Sequence, residues 1–87
     1  MKIVNLNQEF INREQDNSLC VRYNGCFGEL NDVVWHEGSD TISLLELATA
    51  ADYNIFVDDI PLMIEALTLM KSHLESVGVL KKENDNE

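Results

Sequence analysis

Residues 58–80 read DDIPLMIEALTLMKSHLESVGVL, and this stretch decides the fold. Its apolar residues recur at alternating steps of three and four, which places them on one face of an α-helix. This first stripe is Ile60, Met63, Leu67, Met70, Leu74 and Val77. A second stripe beside it is Leu62, Ala66 and Leu69, and Ile64 widens the face further. Because the apolar face is so broad, we predict that it packs against a sheet or another helix.

The ends of this helix carry their own signals. Asp58 and Asp59 place acceptors and negative charge where the first turn of a helix has free N–H groups. Pro61 suits a first turn because its missing N–H is not needed there. Gly78 can adopt the left-handed conformation that ends a helix in a Schellman motif. The pattern therefore predicts a helix over about residues 60–77.

The first stripe also fits a heptad repeat, which raises a second use for the helix. Heptads argue for a coiled coil only when they continue over three or four repeats, and this segment is too short for that. We therefore expect the helix to cover the protein's own sheet. The alternative is a homodimer whose seam is the second stripe or the exposed part of the heptad.

Two turn signals divide the middle of the chain into hairpins. Asn24 and Gly25 predict a two-residue type I′ turn, which would pair Tyr23 with Cys26. A second two-residue turn is predicted within residues 35–42, with Gly38 and Ser39 at its centre. Folding about the second turn leaves one apolar and one mostly polar face, as expected of an antiparallel sheet covered on a single side.

The second hairpin turn is formed by Gly38 and Ser39. It pairs Trp35 with Ile42 and Val33 with Leu44 on the same apolar face. Its second arm, residues 41–47, is predicted as a strand. The alternative is a helix, because SLLELATAA is rich in helix formers and contains a capping-box pattern.

The remaining segments are predicted from shorter patterns. Residues 2–7 (KIVNLN) suit a strand, and residues 8–15 (QEFINREQ) suit a short helix. After residues 48–52, taken as a helical turn or loop, residues 55–57 suit an edge strand. Residues 81–87 form a charged tail that we expect to be disordered.

These elements predict an α+β fold in a single domain spanning residues 1–80. A small antiparallel β-meander of two hairpins is covered on one face by the long C-terminal helix, with the short N-terminal helix at an edge. The predicted core joins the sheet residues Leu19, Val21, Tyr23, Val33, Trp35, Ile42 and Leu44 to the helix residues Ile60, Met63, Ile64, Leu67, Met70 and Leu74.

The strongest bulk property is a net charge of −10, from 16 acidic and 6 basic residues. Arg22 is followed by no lysine or arginine until Lys71. This balance disfavours direct binding to a nucleic-acid backbone, whereas a basic protein surface would be attracted. Solubility is the competing explanation for the same charge.

Motifs for chemistry are missing from the sequence. There is no nucleophile elbow, phosphate loop or set of metal ligands at fixed spacing. Cys20 and Cys26 are too few for a disulfide framework, and the first hairpin places them on opposite faces. We expect no catalysis, no cofactor and no metal. With no basic-then-apolar leader and no long apolar run, we expect a cytoplasmic protein that does not enter a membrane.

The charge predicts a non-enzymatic binding protein whose acidic surface occupies a basic site on a partner protein. If that partner handles nucleic acid, the chain would inhibit it as a DNA mimic, as small phage-type accessory or anti-defence proteins do. The predicted partner-binding residues are Glu29, Asp32, Glu37, Asp40, Asp52, Asp58 and Asp59. The alternative function is a structural or regulatory module that self-associates through the C-terminal helix.

Overall fold

A computed structural model describes residues 1–6, 11–12 and 16–81 of the chain. Six strands and one α-helix lie in this part. The strands are β1 (Lys2–Asn5), β2 (Ile11–Asn12), β3 (Leu19–Asn24), β4 (Leu30–Trp35), β5 (Thr41–Glu46) and β6 (Ala51–Phe56). A 3₁₀ turn, Val57–Asp59, leads into helix α1, Ile60–Ser76. The α+β class is as predicted.

The strands form one mixed sheet in the order β2-β1-β3-β4-β5-β6. The predicted purely antiparallel meander is wrong at its start, because β1 runs parallel to β3, with Lys2 opposite Leu19. Parallel neighbours need a crossover of about a dozen residues, and residues 6–18 provide one. The predicted N-terminal helix is also wrong: Ile11–Asn12 pairs with β1 as a strand. The other residues of the predicted helix, 8–10 and 13–15, lie outside the described residues.

The first hairpin has a different register from the predicted one. Asn24 pairs with Leu30, so the loop is residues 25–29 rather than a two-residue turn. The Gly25 N–H donates to the Glu29 carbonyl (2.7 Å), and the Gly28 N–H donates to the Gly25 carbonyl (2.9 Å). The left-handed residue is Gly28, at φ +84°. The glycine in the left-handed conformation is therefore Gly28 rather than Gly25, and the loop ends later along the chain than predicted.

The second hairpin has the predicted register. Trp35 pairs with Ile42, and Val33 pairs with Leu44. The strand prediction for residues 41–47 is confirmed by β5, and the helical alternative is wrong. The predicted edge strand is also confirmed, although β6 begins earlier, directly after a turn at residues 47–50.

Cross-strand partners lie on the same side of a sheet, so the register assembles one apolar face. We call this the sheet face, and its members are Leu19, Val21, Val33, Trp35, Ile42 and Leu44. Each of them is only half-buried. Among the described residues, the buried apolar side chains are Cys20 and Ile55 alone, and each keeps a small exposed fraction. The sheet therefore has an apolar side without a thick core behind it.

The ends of α1 largely match the prediction. Gly78 has φ +83°, the Val79 N–H donates to the Leu74 carbonyl (2.9 Å), and the Gly78 N–H donates to the Glu75 carbonyl (3.2 Å). These two bonds are those of a Schellman motif. At the other end Pro61 occupies the first turn, but no side chain caps the helix. The predicted capping role of the two aspartates there is therefore wrong.

The position of α1 is the main departure from the predicted architecture. No residue of the helix is buried, and its most extensive contact in the described part of the chain is with the 3₁₀ turn before it. The predicted core between helix and sheet is therefore wrong.

The connection from β6 explains why the helix does not turn back over the sheet face. No loop separates the strand from the 3₁₀ turn, which spans only Val57–Asp59. The Val57 N–H donates to the Asp40 carbonyl (2.8 Å), and the Ile60 N–H donates to the Val57 carbonyl. These bonds fix the direction in which the helix leaves the sheet. Of the predicted tail, only Lys81 lies within the described residues.

Candidate interaction surface

An apolar groove lies on the sheet face beside the start of the helix. Its volume is about 400 Å³. The lining residues are Leu19, Val21, Val33, Trp35, Ser39, Ile42, Val57 and Ile60. None of these side chains carries a charge, and only Ser39 has a hydroxyl. A surface of this composition suits an apolar partner rather than a polar substrate.

Trp35 is the largest side chain in the groove, and its polar atom is already satisfied. The indole N–H donates to the Ser39 carbonyl across the hairpin loop (2.9 Å). The Ser39 hydroxyl in turn donates to the Thr41 carbonyl (3.0 Å). Because the loop satisfies these groups, the indole ring offers its apolar area to a partner without an unpaired donor.

The second apolar surface is helix α1 itself. In the first stripe Leu67 is 61% exposed and Met70 is 56% exposed. In the second stripe Leu62 is 65% exposed and Leu69 is 67% exposed. Single exposed apolar residues are ordinary, but a contiguous patch of this kind marks an interaction site. Both sides of the helix are therefore available for contact.

The opposite side of the sheet carries a bidentate ion pair. Arg22 Nε lies 2.7 Å from Asp32 Oδ1, and its Nη2 lies 2.9 Å from Oδ2. The guanidinium holds the pKa of the Asp32 carboxyl below its ordinary value, although burial opposes this. Burial, reinforced by the Asp32 charge, raises the pKa of the neighbouring Cys20 thiol. This cluster is an internal brace between β3 and β4 and has no reactive thiolate.

The acidic residues predicted to bind a partner are spread over the fold. Asp32 is buried and engaged by Arg22, so it is not offered to a partner. Glu29 accepts a bond from the Phe27 N–H (3.0 Å) in the first hairpin loop. Glu37, in the second hairpin loop, accepts two hydrogen bonds from Asn17. These two carboxylates stabilise loops.

Three of the predicted acids do come together. Asp40, Asp58 and Asp59 line one hollow of about 370 Å³ where the 3₁₀ turn meets the β4–β5 loop. No ion pair found in the described residues involves any of the three. The remaining predicted acid, Asp52, is exposed on β6 at the edge of the sheet. The acidic prediction thus reduces to one small cluster and scattered single charges.

The described residues show no arrangement that would hold a metal ion, since they bring no three ligating side chains together. Cys20 is buried and Cys26 is exposed, and neither forms a disulfide. Within residues 1–6, 11–12 and 16–81, no helix is long and apolar enough to cross a membrane.

Comparisons with protein-family models, with characterised proteins and with solved structures found no significant match. The candidate surface is therefore inferred from the geometry of this chain alone.

The groove does not follow from the sequence pattern, because the pattern predicts that the helix fills that space. Val57 is predicted as strand, but it lies in the 3₁₀ turn and lines the groove beside the start of the helix. One signal was available. The polar strip of the helix, Glu65, Thr68, Ser72 and Glu75, is narrow. A helix that covers only its own sheet needs one apolar stripe, and a broader apolar surface implies a further contact.

The Arg22–Asp32 pair gives a prediction about stability and pH. Arg22→Met leaves a buried carboxylate without its partner, so at neutral pH we expect a loss of about 1.5–3 kcal/mol in the free energy of unfolding. The folded pKa of Asp32 is lowered. The pair therefore contributes fully above the unfolded pKa of about 3.9 and is lost as the pH falls through the folded pKa.

Denaturant unfolding at several pH values measures this effect. The difference between wild type and Arg22→Met is expected to shrink steadily as the solution is made acidic. Lys81→Met is the control, since it removes the same charge from an exposed position. A difference that stays the same at neutral and acidic pH would show that the ion pair does not brace the sheet.

Proposed function

We propose that this chain is a self-associating, non-enzymatic module whose C-terminal helix forms the seam of a homodimer. The observation that carries the proposal is the exposure of apolar residues in both stripes of α1, a helix that ends in a Schellman motif. Most of the stability of a helix in a protein comes from packing its apolar face rather than from its intrinsic propensity. A second copy would supply that packing.

The energetics favour association when both stripes are used. Fully burying a leucine-sized side chain contributes about 1.5–3 kcal/mol, while association costs an estimated 4–15 kcal/mol. Two or three side chains would not offset that cost. In a homodimer each stripe counts twice, so the set available is large enough.

The charge of the chain constrains where two copies can meet. Each copy carries a net charge of −10, so acidic surfaces repel one another. The helix carries few charges, and its Lys71 lies 3.7 Å from Glu75. Added salt screens repulsion between exposed charges. Self-association is therefore expected to strengthen as salt rises, whereas binding to a basic partner would weaken.

Leu67→Glu tests the seam. Leu67 is exposed in the single chain, so the substitution leaves the monomer folded, but in a dimer it buries a charge at the contact. We expect the dissociation constant to rise by at least tenfold, which corresponds to about 1.4 kcal/mol. Thr68→Glu is the matched control, because it adds the same charge on the polar strip.

Sedimentation equilibrium over a range of protein and salt concentrations is the measurement. Circular dichroism checks that both variants keep the wild-type fold. The proposal is wrong if wild type remains a monomer at the highest concentration, or if Thr68→Glu and Leu67→Glu weaken the dimer equally.

A second candidate function is the acidic inhibitor predicted from the charge. The observation in its favour is the cluster of Asp40, Asp58 and Asp59 around one hollow, reinforced by the base-free stretch from Arg22 to Lys71. In this role the cluster would occupy a basic site on a partner protein, such as the nucleic-acid site of an enzyme. The chain would then act as a phage-type accessory protein that mimics DNA.

Affinity capture at low and high salt tests this second function. Proteins captured by wild type are expected to be released by salt and to lose nucleic-acid binding when the chain is added. The double variant Asp58→Asn with Asp59→Asn should capture much less than the charge-matched control Asp52→Asn with Glu65→Gln. Capture that is indifferent to salt, or equal for the two variants, would exclude the mimic.

A further inference from the structure

We propose that the helix of each copy lies in the apolar groove of the other copy, so that the two chains exchange their C-terminal helices. This inference rests on the proposed self-association and names the surface that the helix meets. It makes a second copy of the chain the occupant of the groove lined by Trp35 and its neighbours.

The chain's own helix is held away from its own groove. Ile60 is the only residue of α1 among the groove lining. The bond from the Val57 N–H to the Asp40 carbonyl pins the 3₁₀ turn to the adjacent hairpin loop. Pro61 then limits the backbone of the first helical turn. Short connections that hold an element away from its own chain favour exchange of that element between copies.

The groove and the helix match in size and chemistry. The groove spans β3, β4 and β5, and neighbouring strands lie about 4.8 Å apart. This width accommodates a helix, whose diameter with side chains is about 10 Å. The groove lining is uncharged, and the two helix stripes are apolar, so neither surface loses a hydrated charge on contact. The acids of each copy remain outside the contact.

Exchange would cover exposed apolar area on both partners of each contact. On the helix, Leu62 is 65% exposed, Leu67 is 61% exposed and Leu69 is 67% exposed. The residues of the sheet face are only half-buried. Reciprocal exchange forms two helix–groove contacts, and each chain contributes to both.

A dimer formed by the two helices alone fits these observations less well. It would bury the helix stripes but leave both grooves open to water. Its heptad would also be shorter than the three or four repeats that a coiled coil needs. Exchange covers both apolar surfaces of each chain with one arrangement.

Cysteine cross-linking between two distinguishable copies tests the exchange. Both copies carry Cys26→Ser, which removes the exposed thiol and keeps the buried one. One copy then carries Ile42→Cys in the groove, and the other, with a tag of different mass, carries Leu67→Cys on the helix. After mixing, a short bis-maleimide is expected to join the tagged chain to the untagged chain.

Matched controls come from the neighbouring residues. Ser43→Cys lies on the opposite side of the sheet from Ile42, and Thr68→Cys lies on the polar strip of the helix. Each control is expected to reduce the mixed product several-fold. Helix-to-helix products from the Leu67→Cys chain alone would overturn the exchange, as would a cross-link formed only within a chain that carries both cysteines.

Sedimentation of the same variants distinguishes a failure of the helix exchange from a failure of the self-association. If they are dimers but the helices cross-link to one another, the exchange is wrong and the self-association stands. If they are monomers, the self-association itself is wrong, and the exchange fails with it.

Discussion

The structure depends on the short connection between β6 and the C-terminal helix. The 3₁₀ turn of Val57–Asp59 has no spare residues, and its first N–H is bonded to the Asp40 carbonyl of the β4–β5 loop. The direction of β6 therefore sets the direction of the helix, and the helix leaves the sheet at the edge formed by β6. The residues of the sheet face are only half-buried, and no residue of the helix is buried.

The energetic consequence is a sheet that is held together mainly by its strand pairing and by a few buried groups. One buried apolar side chain of the described residues is Cys20, on the side that carries the Arg22–Asp32 pair linking β3 to β4. The other is Ile55, whose cross-strand partner Ile42 lies on the sheet face. Chains of this size are marginal even with a complete core, because a small domain buries a limited fraction of its surface. If a second copy covers the groove, as proposed, that contact would contribute to folding as well as to association, and the two processes would be coupled.

Local patterns in the sequence predicted only part of the local structure, because the Asn24-Gly25 turn, the short N-terminal helix and the aspartate caps were also local predictions and were wrong. The periodicity of α1, the left-handed Gly78 and the register of Trp35 with Ile42 follow from rules that involve only near neighbours. The parallel pairing of β1 with β3 did not follow, because it joins segments separated by residues 6–18 and has no local signal. The groove was missed for a similar reason: whether a helix folds back depends on the geometry of its connection, which periodicity does not describe. The acidic prediction counted Asp32 as a surface charge, since one sequence cannot show that Arg22 faces it across the sheet.

A second copy in the groove would cover Trp35, which lines the groove and is the one tryptophan of the chain. Its fluorescence and its quenching by acrylamide can be followed during dilution of the wild-type protein. We expect that, on dilution, emission moves to longer wavelength and quenching increases, with the same midpoint as dissociation seen by sedimentation. Emission and quenching that do not change with concentration, while the dimer dissociates, would show that no second copy covers the groove.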